Sequence, residues 1–162
     1  MKKSFNFYNP LTWAALGFGT GFSPVAPGTA GSLLASSIYI VLINPLITSF
    51  LDYFYFIFFL FISFFIGIFA HDTVVGEDKD PSYFVWDEFL GMWITCLPIV
   101  LFEQKLFFLM LSFLVFRILD IIKPWPIIIY DQQEGAYGVM MDDVIAGLLT
   151  MPIVILIYLL IF

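Results

Sequence analysis

Two places in the sequence set acids side by side at the edge of an apolar run: Asp87-Glu88-Phe89-Leu90-Gly91 and Asp142-Asp143-Val144-Ile145-Ala146-Gly147. Both read as two acids, two apolar residues and a small residue, each opening a helix. One acid at a helix start is accounted for by the helix dipole, a capping effect of about 0.3–1 kcal/mol. A second is not. Paired carboxylates at a membrane edge repel each other and are costly to desolvate, so two pairs facing one side call for a compensating cation. Hard oxygen donors select Mg2+ or Mn2+ over softer metals. Asp87, Glu88, Asp142 and Asp143 are therefore the candidate metal ligands. Neighbouring helical residues diverge by about 100°, so one acid of each pair can stand behind the other without touching the ion.

Cationic chemistry is concentrated in Arg117-Ile118-Leu119-Asp120-Ile121-Ile122-Lys123-Pro124. Residues three apart share a helix side, so Arg117, Asp120 and Lys123 form a ladder. The ladder serves equally as a plain ion-pair row at a helix C-terminus or as a phosphate clamp, in which Arg117 and Lys123 hold the anion and Asp120 orients them or joins the metal shell. A third element, Gly17-Phe18-Gly19-Thr20-Gly21 through Ser23-Pro24-Val25-Ala26-Pro27-Gly28-Thr29-Ala30-Gly31-Ser32, precedes the first long apolar run. Glycines let a backbone approach an anion, and the first amides of a helix lack internal partners, so Ser23, Gly28, Thr29, Gly31 and Ser32 are candidate phosphate contacts. No Gly-Lys-Ser/Thr follows, so this is not a Walker loop. Small-residue helix packing explains the same spacing equally well.

The elements that must position these groups are set by composition. Of 162 residues, 62% are hydrophobic and only 12% charged, with 21 Phe and a mean hydropathy of +1.02. A small soluble domain leaves too much surface exposed to hide that load, whereas lipid can cover it. Apolar stretches fall roughly at 31–50, 53–70, 89–102, 106–122 and 144–162. Runs such as Tyr53-Phe54-Tyr55-Phe56-Ile57-Phe58 are apolar on every side, which excludes a barrel of alternating strands and leaves helices. The expectation is a single all-α, polytopic membrane bundle over residues 1–162, with about five spans and a partly helical or re-entrant N-terminal segment. The stretch containing Pro98 is short and expected to be tilted or kinked. Cys96 stands alone, so no intramolecular disulfide framework forms. Lys2 and Lys3 are followed by Asn6, Asn9 and Pro10 without a compact apolar stretch, so no removable signal peptide is expected.

Five spans would put Lys2, Lys3, Lys79, Arg117 and Lys123 on one side and Lys105 on the other, which by the positive-inside bias makes the first side cytoplasmic. The C-terminus then lies opposite. The same partition gathers Asp87, Glu88, Asp120, Asp142 and Asp143 on the cytoplasmic face. His71 reads as a helix-end hydrogen-bonding group, Trp86, Trp93 and Trp125 as interfacial anchors, and Asp131 as either a wet loop acid or part of the site. The net charge of −7 would ordinarily repel nucleic acid and anionic lipid surfaces, but the average misleads where charges are divided between the two ends of spans. No nucleic-acid partner is expected.

Taken together, Gly-Phe-Ser-Pro-Val-Ala-Pro-Gly-Thr-Ala-Gly-Ser, Val85-Trp86-Asp87-Glu88-Phe89-Leu90-Gly91-Met92-Trp93, Phe116-Arg117-Ile118-Leu119-Asp120 through Pro126, and Gly135-Ala136-Tyr137-Gly138-Val139-Met140-Met141-Asp142-Asp143 resemble the phosphatidylglycerophosphatase A family. The resemblance covers nearly the whole chain. It implies a multi-pass enzyme of the bacterial inner membrane that uses Mg2+ to hydrolyse phosphatidylglycerophosphate to phosphatidylglycerol and inorganic phosphate. Asp87, Glu88, Asp142 and Asp143 would then assemble around Mg2+ with Asp120 close by as catalytic groups, and both direct attack by water and an aspartyl phosphoenzyme stay open. A cation channel would place charges deep within its spans, and only Arg117 and Asp120 approach that. A head-group phosphotransferase would carry an Asp-Gly-x2-Ala-Arg signature, which is absent. Oligomeric state is not legible.

Overall fold

A computed structural model describes residues 5–76 and 81–162, and all of the secondary structure among them is helical. Lys2, Lys3, Lys79 and the loop acids Glu77, Asp78 and Asp80 lie outside the described residues. The chain forms α1 (Pro10–Ala15), α2 (Pro27–Ile38), α3 (Phe50–Val74), α4 (Trp86–Thr95), α5 (Lys105–Ile122), α6 (Ile127–Asp131) and α7 (Ala136–Ile161). Asn9 starts α1 by accepting from the Leu11 amide, with Pro10 in the first turn. Ser49 and Asp52 cap α3 reciprocally, each side chain taking the other's backbone amide. α2 runs on through a π turn at Tyr39–Ile43 and a 3-10 turn at Asn44–Leu46.

Three segments are long and apolar enough to cross a membrane: Pro27–Leu46, Phe50–Val74 and Ala136–Ile161. Their outward faces are covered with large apolar side chains, Phe54, Phe58, Phe61, Phe65 and Phe69 on α3 among them. Lipid is the solvent such a surface fits. α5, at 18 residues, also runs between the two ends of the bundle but carries Arg117 and Asp120 near its close. The expected third span is different in kind. α4 has only 10 residues, about 15 Å of helix, and every one except Glu88 is buried. It packs against α2, α3, α5 and α7, so its length answers to its neighbours and not to the bilayer. A 3-10 turn at Leu97–Leu101, with Pro98 inside it, completes the passage.

Trp86 and Trp93 are not interfacial anchors. Both are buried on α4, where Trp86 Nε1 donates to the Ser63 carbonyl of α3 (3.0 Å) and Trp93 Nε1 to the Ala35 carbonyl of α2 (3.0 Å). The indole donors are satisfied inside the core, so nothing draws them to the membrane surface. Trp125, 77% exposed, keeps the expected character.

Elements alternate between two ends. The starts of α2, α4 and α7 and the close of α3 and α5 share one end. At the other, Lys105 Nζ donates to Asn44 Oδ1 (3.2 Å), the Tyr53 hydroxyl donates to the Leu97 carbonyl (3.3 Å), and Phe102 stacks on Tyr158 at 4.2 Å between ring centres.

The tightest approach in the bundle is between α4 and α7. A Cβ on Gly91 would stand 2.7 Å from the Asp143 carbonyl oxygen, and one on Gly147 only 2.5 Å from the Gly91 carbonyl oxygen. Each acidic pair is thus followed by the small residue that lets its helix meet the other backbone to backbone. Replacing Gly147 by Leu should lower stability by about 1–3 kcal/mol through overpacking, read as a fall in the thermal midpoint in detergent. An unchanged midpoint would contradict the close crossing.

Candidate active site

At the shared end a cavity of about 310 Å³ opens between α2, α4, α5 and α7. Asp87 and Glu88 enter it from α4, Arg117 and Asp120 from α5, and Asp142 and Asp143 from α7. Lys123, Gly28 and Thr29 complete the polar part of the wall. The acidic pairs and the basic ladder, far apart in sequence, therefore meet in one place. Asp87, Asp120, Asp142 and Asp143 are all buried.

The local geometry departs from the sequence expectation at α7. Its first residue is Ala136, so Asp142 and Asp143 are its seventh and eighth residues, about 9–11 Å inside the helix. They do not open it. The helix dipole acts only within the first turn, so capping accounts for neither acid. At α4 the expectation stands, since Asp87 and Glu88 sit in the first turn. Helix starts converge on the cavity from α2 and α4 only. In α2 the first internal bond runs from the Ala30 amide to the Ala26 carbonyl (3.0 Å), and Gly28 and Thr29 at its opening belong to the cavity wall.

Arg117 ties three elements together. Its Nη1 is ion-paired with Asp120 Oδ2 at 2.8 Å on α5 and donates to Glu88 Oε1 at 3.5 Å on α4 and to Ser32 Oγ at 3.3 Å on α2. Gly28 makes room for this arrangement, because a Cβ there would fall 1.6 Å from Glu88 Oε1. Gly31 faces the same carboxylate and Val85. Lys123 caps α5 in a left-handed conformation (φ 48°, ψ 54°) that normally belongs to glycine. A lysine held there gives up some backbone ease, and its ammonium bridges Asp120 (3.3 Å), Asp131 (3.1 Å) and Asp142. Burial pulls its pKa down, but the carboxylates of Asp142, Asp120 and Asp143 outweigh that and hold it above the usual lysine value.

Even so, five carboxylates on the cavity wall face only two cations. One oxygen from each of Asp120, Asp142 and Asp143 lies within 4.8 Å of the others, the tightest acidic grouping among the described residues. Asp143 Oδ1 is buried and has no hydrogen-bond partner there, and Arg117 Nε is in the same condition. An all-oxygen donor set with an orphaned buried carboxylate oxygen suits a hard divalent cation, whose ligands span roughly 3–4 Å. The grouping brings in Asp120 and leaves Asp87 and Glu88 on the adjoining wall.

Of the expected phosphate contacts, Ser23, Gly31 and Ser32 are not on the cavity wall, although Gly31 borders Glu88 and Ser32 accepts from Arg117. Ser23 ends the turn at Gly17–Phe22 with its amide donating to the Thr20 carbonyl (2.9 Å) and takes no part in the wall. Gly17 and Gly19 before it have positive φ; a Cβ on Gly17 would meet Val85 at 2.5 Å and Phe89 at 2.8 Å, whereas Gly19 faces open space. Asp131 gains a part that its sequence position left open. The turn through Pro124 and Pro126 and the short helix α6 return it to Lys123. Ser82 and Phe84, not singled out in the sequence, also line the wall.

Known proteins similar to this chain carry lipid-phosphatase names. A sequence profile described as Phosphatidylglycerophosphatase A matches residues 13–158. Phosphatidylglycerophosphatase A of Escherichia coli (strain K12) is 35% identical over 152 residues, covering 92% of this chain and 84% of the relative. The protein of the same name from Haemophilus influenzae is 32% identical over 155 residues, covering 94% and 91%. A Bacteroides thetaiotaomicron protein provisionally named phosphatidylinositol-3-phosphatase is 43% identical over 133 residues, covering 81% and 82%. No solved structure matches the chain significantly.

Proposed function

The chain belongs to the phosphatidylglycerophosphatase A family and is a phosphatase, and on that footing we propose that it hydrolyses phosphatidylglycerophosphate to phosphatidylglycerol and inorganic phosphate in a Mg2+-dependent reaction. The observation that carries the site assignment is the meeting of five carboxylates, Arg117 and Lys123 around one cavity, with Asp143 Oδ1 left unpartnered.

Phosphoryl transfer asks a protein mainly for positioning and charge stabilisation. Arg117, fixed by Asp120, Glu88 and Ser32, presents a preoriented guanidinium to the phosphate oxygens. Lys123 supplies a second positive charge on the α5–α7 side, and the opening of α2 at Gly28 and Thr29 adds amides suited to an anion. Asp120, Asp142 and Asp143, with Asp87 and Glu88 on the adjoining wall, would hold Mg2+, which when bound supplies charge neutralisation and polarisation of a phosphate oxygen. The burial of this acidic wall strengthens the electrostatic interactions within it.

The Bacteroides relative favours a second reading for the same site, a phosphomonoester on an inositol headgroup such as phosphatidylinositol 3-phosphate. The chemistry is shared and only the headgroup differs. We further propose that the cavity end faces the cytoplasm of a bacterial inner membrane with the C-terminus opposite, which agrees with Arg117 and Lys123 at the cavity end and Lys105 at the other.

Purified protein should release phosphate from phosphatidylglycerophosphate with Mg2+ and not in EDTA, at a rate above that for phosphatidylinositol 3-phosphate. The reverse preference would establish the second reading. Asp142→Ala and Asp87→Ala should each lose about 10²-fold or more, a loss of the size seen when a group acting on transition-state charge is removed. Undiminished turnover would remove both from the site. For orientation, single cysteines at Ser82 and Gln104 in a Cys96→Ala background should label from the cytoplasmic and the opposite side respectively. Labelling from the same side would overturn the topology.

A further inference from the structure

Beyond the phosphate cavity, α2 and α5 do not close on each other. A second cavity of about 310 Å³ lies along their seam, lined by Leu33, Ser36, Ser37 and Ile40 of α2 and its continuation, and by Leu106, Leu109, Met110, Phe113 and Leu114 of α5. Ser36 and Leu109 are buried at its floor, while Leu33, Leu106, Met110 and Leu114 are exposed at its rim. It is apolar despite its serines. Ser36 Oγ donates to the Ser32 carbonyl (2.7 Å) and Ser37 Oγ to the Leu33 carbonyl (2.9 Å), so both hydroxyls are spent on their own helix. Their small size is what hollows the seam.

This groove follows the site along the same pair of helices, one turn further on. The hydrogen bond from Arg117 to Ser32 (3.3 Å) spans the same two helices at the point where the polar cavity ends, and Leu33 and Leu114 begin the groove next to it. From Leu114 to Leu106 the groove follows α5 for about 12 Å, in the direction an acyl chain takes from a headgroup toward the bilayer centre.

We infer that the α2–α5 groove is the binding site for one acyl chain of the phospholipid whose phosphate enters the cavity, and that the lipid reaches the site sideways from the bilayer through this seam. The inference rests on the lipid phosphatase reading and adds where the lipid's tail lies. Filling the groove does not touch the polar groups. It prevents a long chain from seating while the headgroup is in place, whereas a short chain ends before the obstruction. Ser37 and Met110 each lie one helical turn, about 6 Å, further from the site than Leu33 and Leu114, so bulk at either position spares the first few methylenes.

The test compares dioleoyl with dihexanoyl phosphatidylglycerophosphate in mixed micelles containing Mg2+, for the wild type, Ser37→Trp, Met110→Trp and, as a lipid-facing control outside the groove, Phe58→Trp. The expected result is a fall of about tenfold or more in the kcat/KM ratio of long to short chain in Ser37→Trp and Met110→Trp, since a headgroup displaced by about an ångström can lose up to 10²-fold. The ratio in Phe58→Trp should stay unchanged. Because Met110 is at the exposed rim, its variant carries the test even if Ser37→Trp does not fold. A ratio unchanged in the groove variants, or an equal loss on both lipids, overturns the acyl-chain site and leaves the seam as ordinary lipid-facing surface. No phosphate release by the wild type from either lipid overturns the functional reading itself.

Discussion

The structure turns on an electrostatic imbalance at one end of an otherwise apolar bundle. Five carboxylates surround a single cavity in which Arg117 and Lys123 are the only cations among the described residues. Carboxylates withdrawn from water and set against one another are unfavourable, and an anionic phosphate could not approach them unaided. Much else serves to hold this imbalance in place. Arg117 reaches Asp120, Glu88 and Ser32, and Lys123 accepts a left-handed backbone to bridge Asp120, Asp131 and Asp142. Gly28 clears a volume that Glu88 fills.

The bundle supplies the rigidity that such an arrangement demands. α4 is the pivot, a short helix enclosed by four others and fastened by its indoles to the backbones of α2 and α3. Gly91 and Gly147 bring it against α7, which fixes the distance between the two acidic pairs through backbone packing and not through side-chain reach. The lipid-facing helices can vary their outer surface without disturbing this inner contact. The α2–α5 seam is the exception, where Ser36 and Ser37 leave an apolar groove beside the polar cavity.

How much of this was legible in the sequence depended on the physical signal involved. Composition and unbroken apolar runs identified helices in lipid, and acids and bases clustered at the edges of those runs marked the residues that the fold brings together. Three features differ from the sequence expectation for identifiable reasons. Trp86 and Trp93 looked like interfacial residues because sequence does not show that α4 is enclosed, and their donors find carbonyls only in the assembled bundle. The start of α7 was placed beside Asp142 and Asp143, since apolar character begins there, yet the helix begins at Ala136 in a polar stretch that hydropathy does not flag. The stretch from Gly17 to Ser23 carries the composition of an anion loop, and only backbone geometry shows a turn in which Gly17 packs against Val85 and Phe89. Asp131 depended on a reversal of the chain after Lys123, which no spacing rule conveys.

On the proposed reading the acidic wall is strained alone and relieved by a divalent cation. Thermal unfolding of the wild type and Asp143→Asn, each in EDTA and in Mg2+, tests it directly. The account predicts that in EDTA the variant is the more stable of the two, because one crowded carboxylate is gone, and that Mg2+ raises the midpoint of the wild type while leaving the variant nearly unmoved. A variant less stable than wild type in EDTA, together with a wild type indifferent to Mg2+, would contradict it.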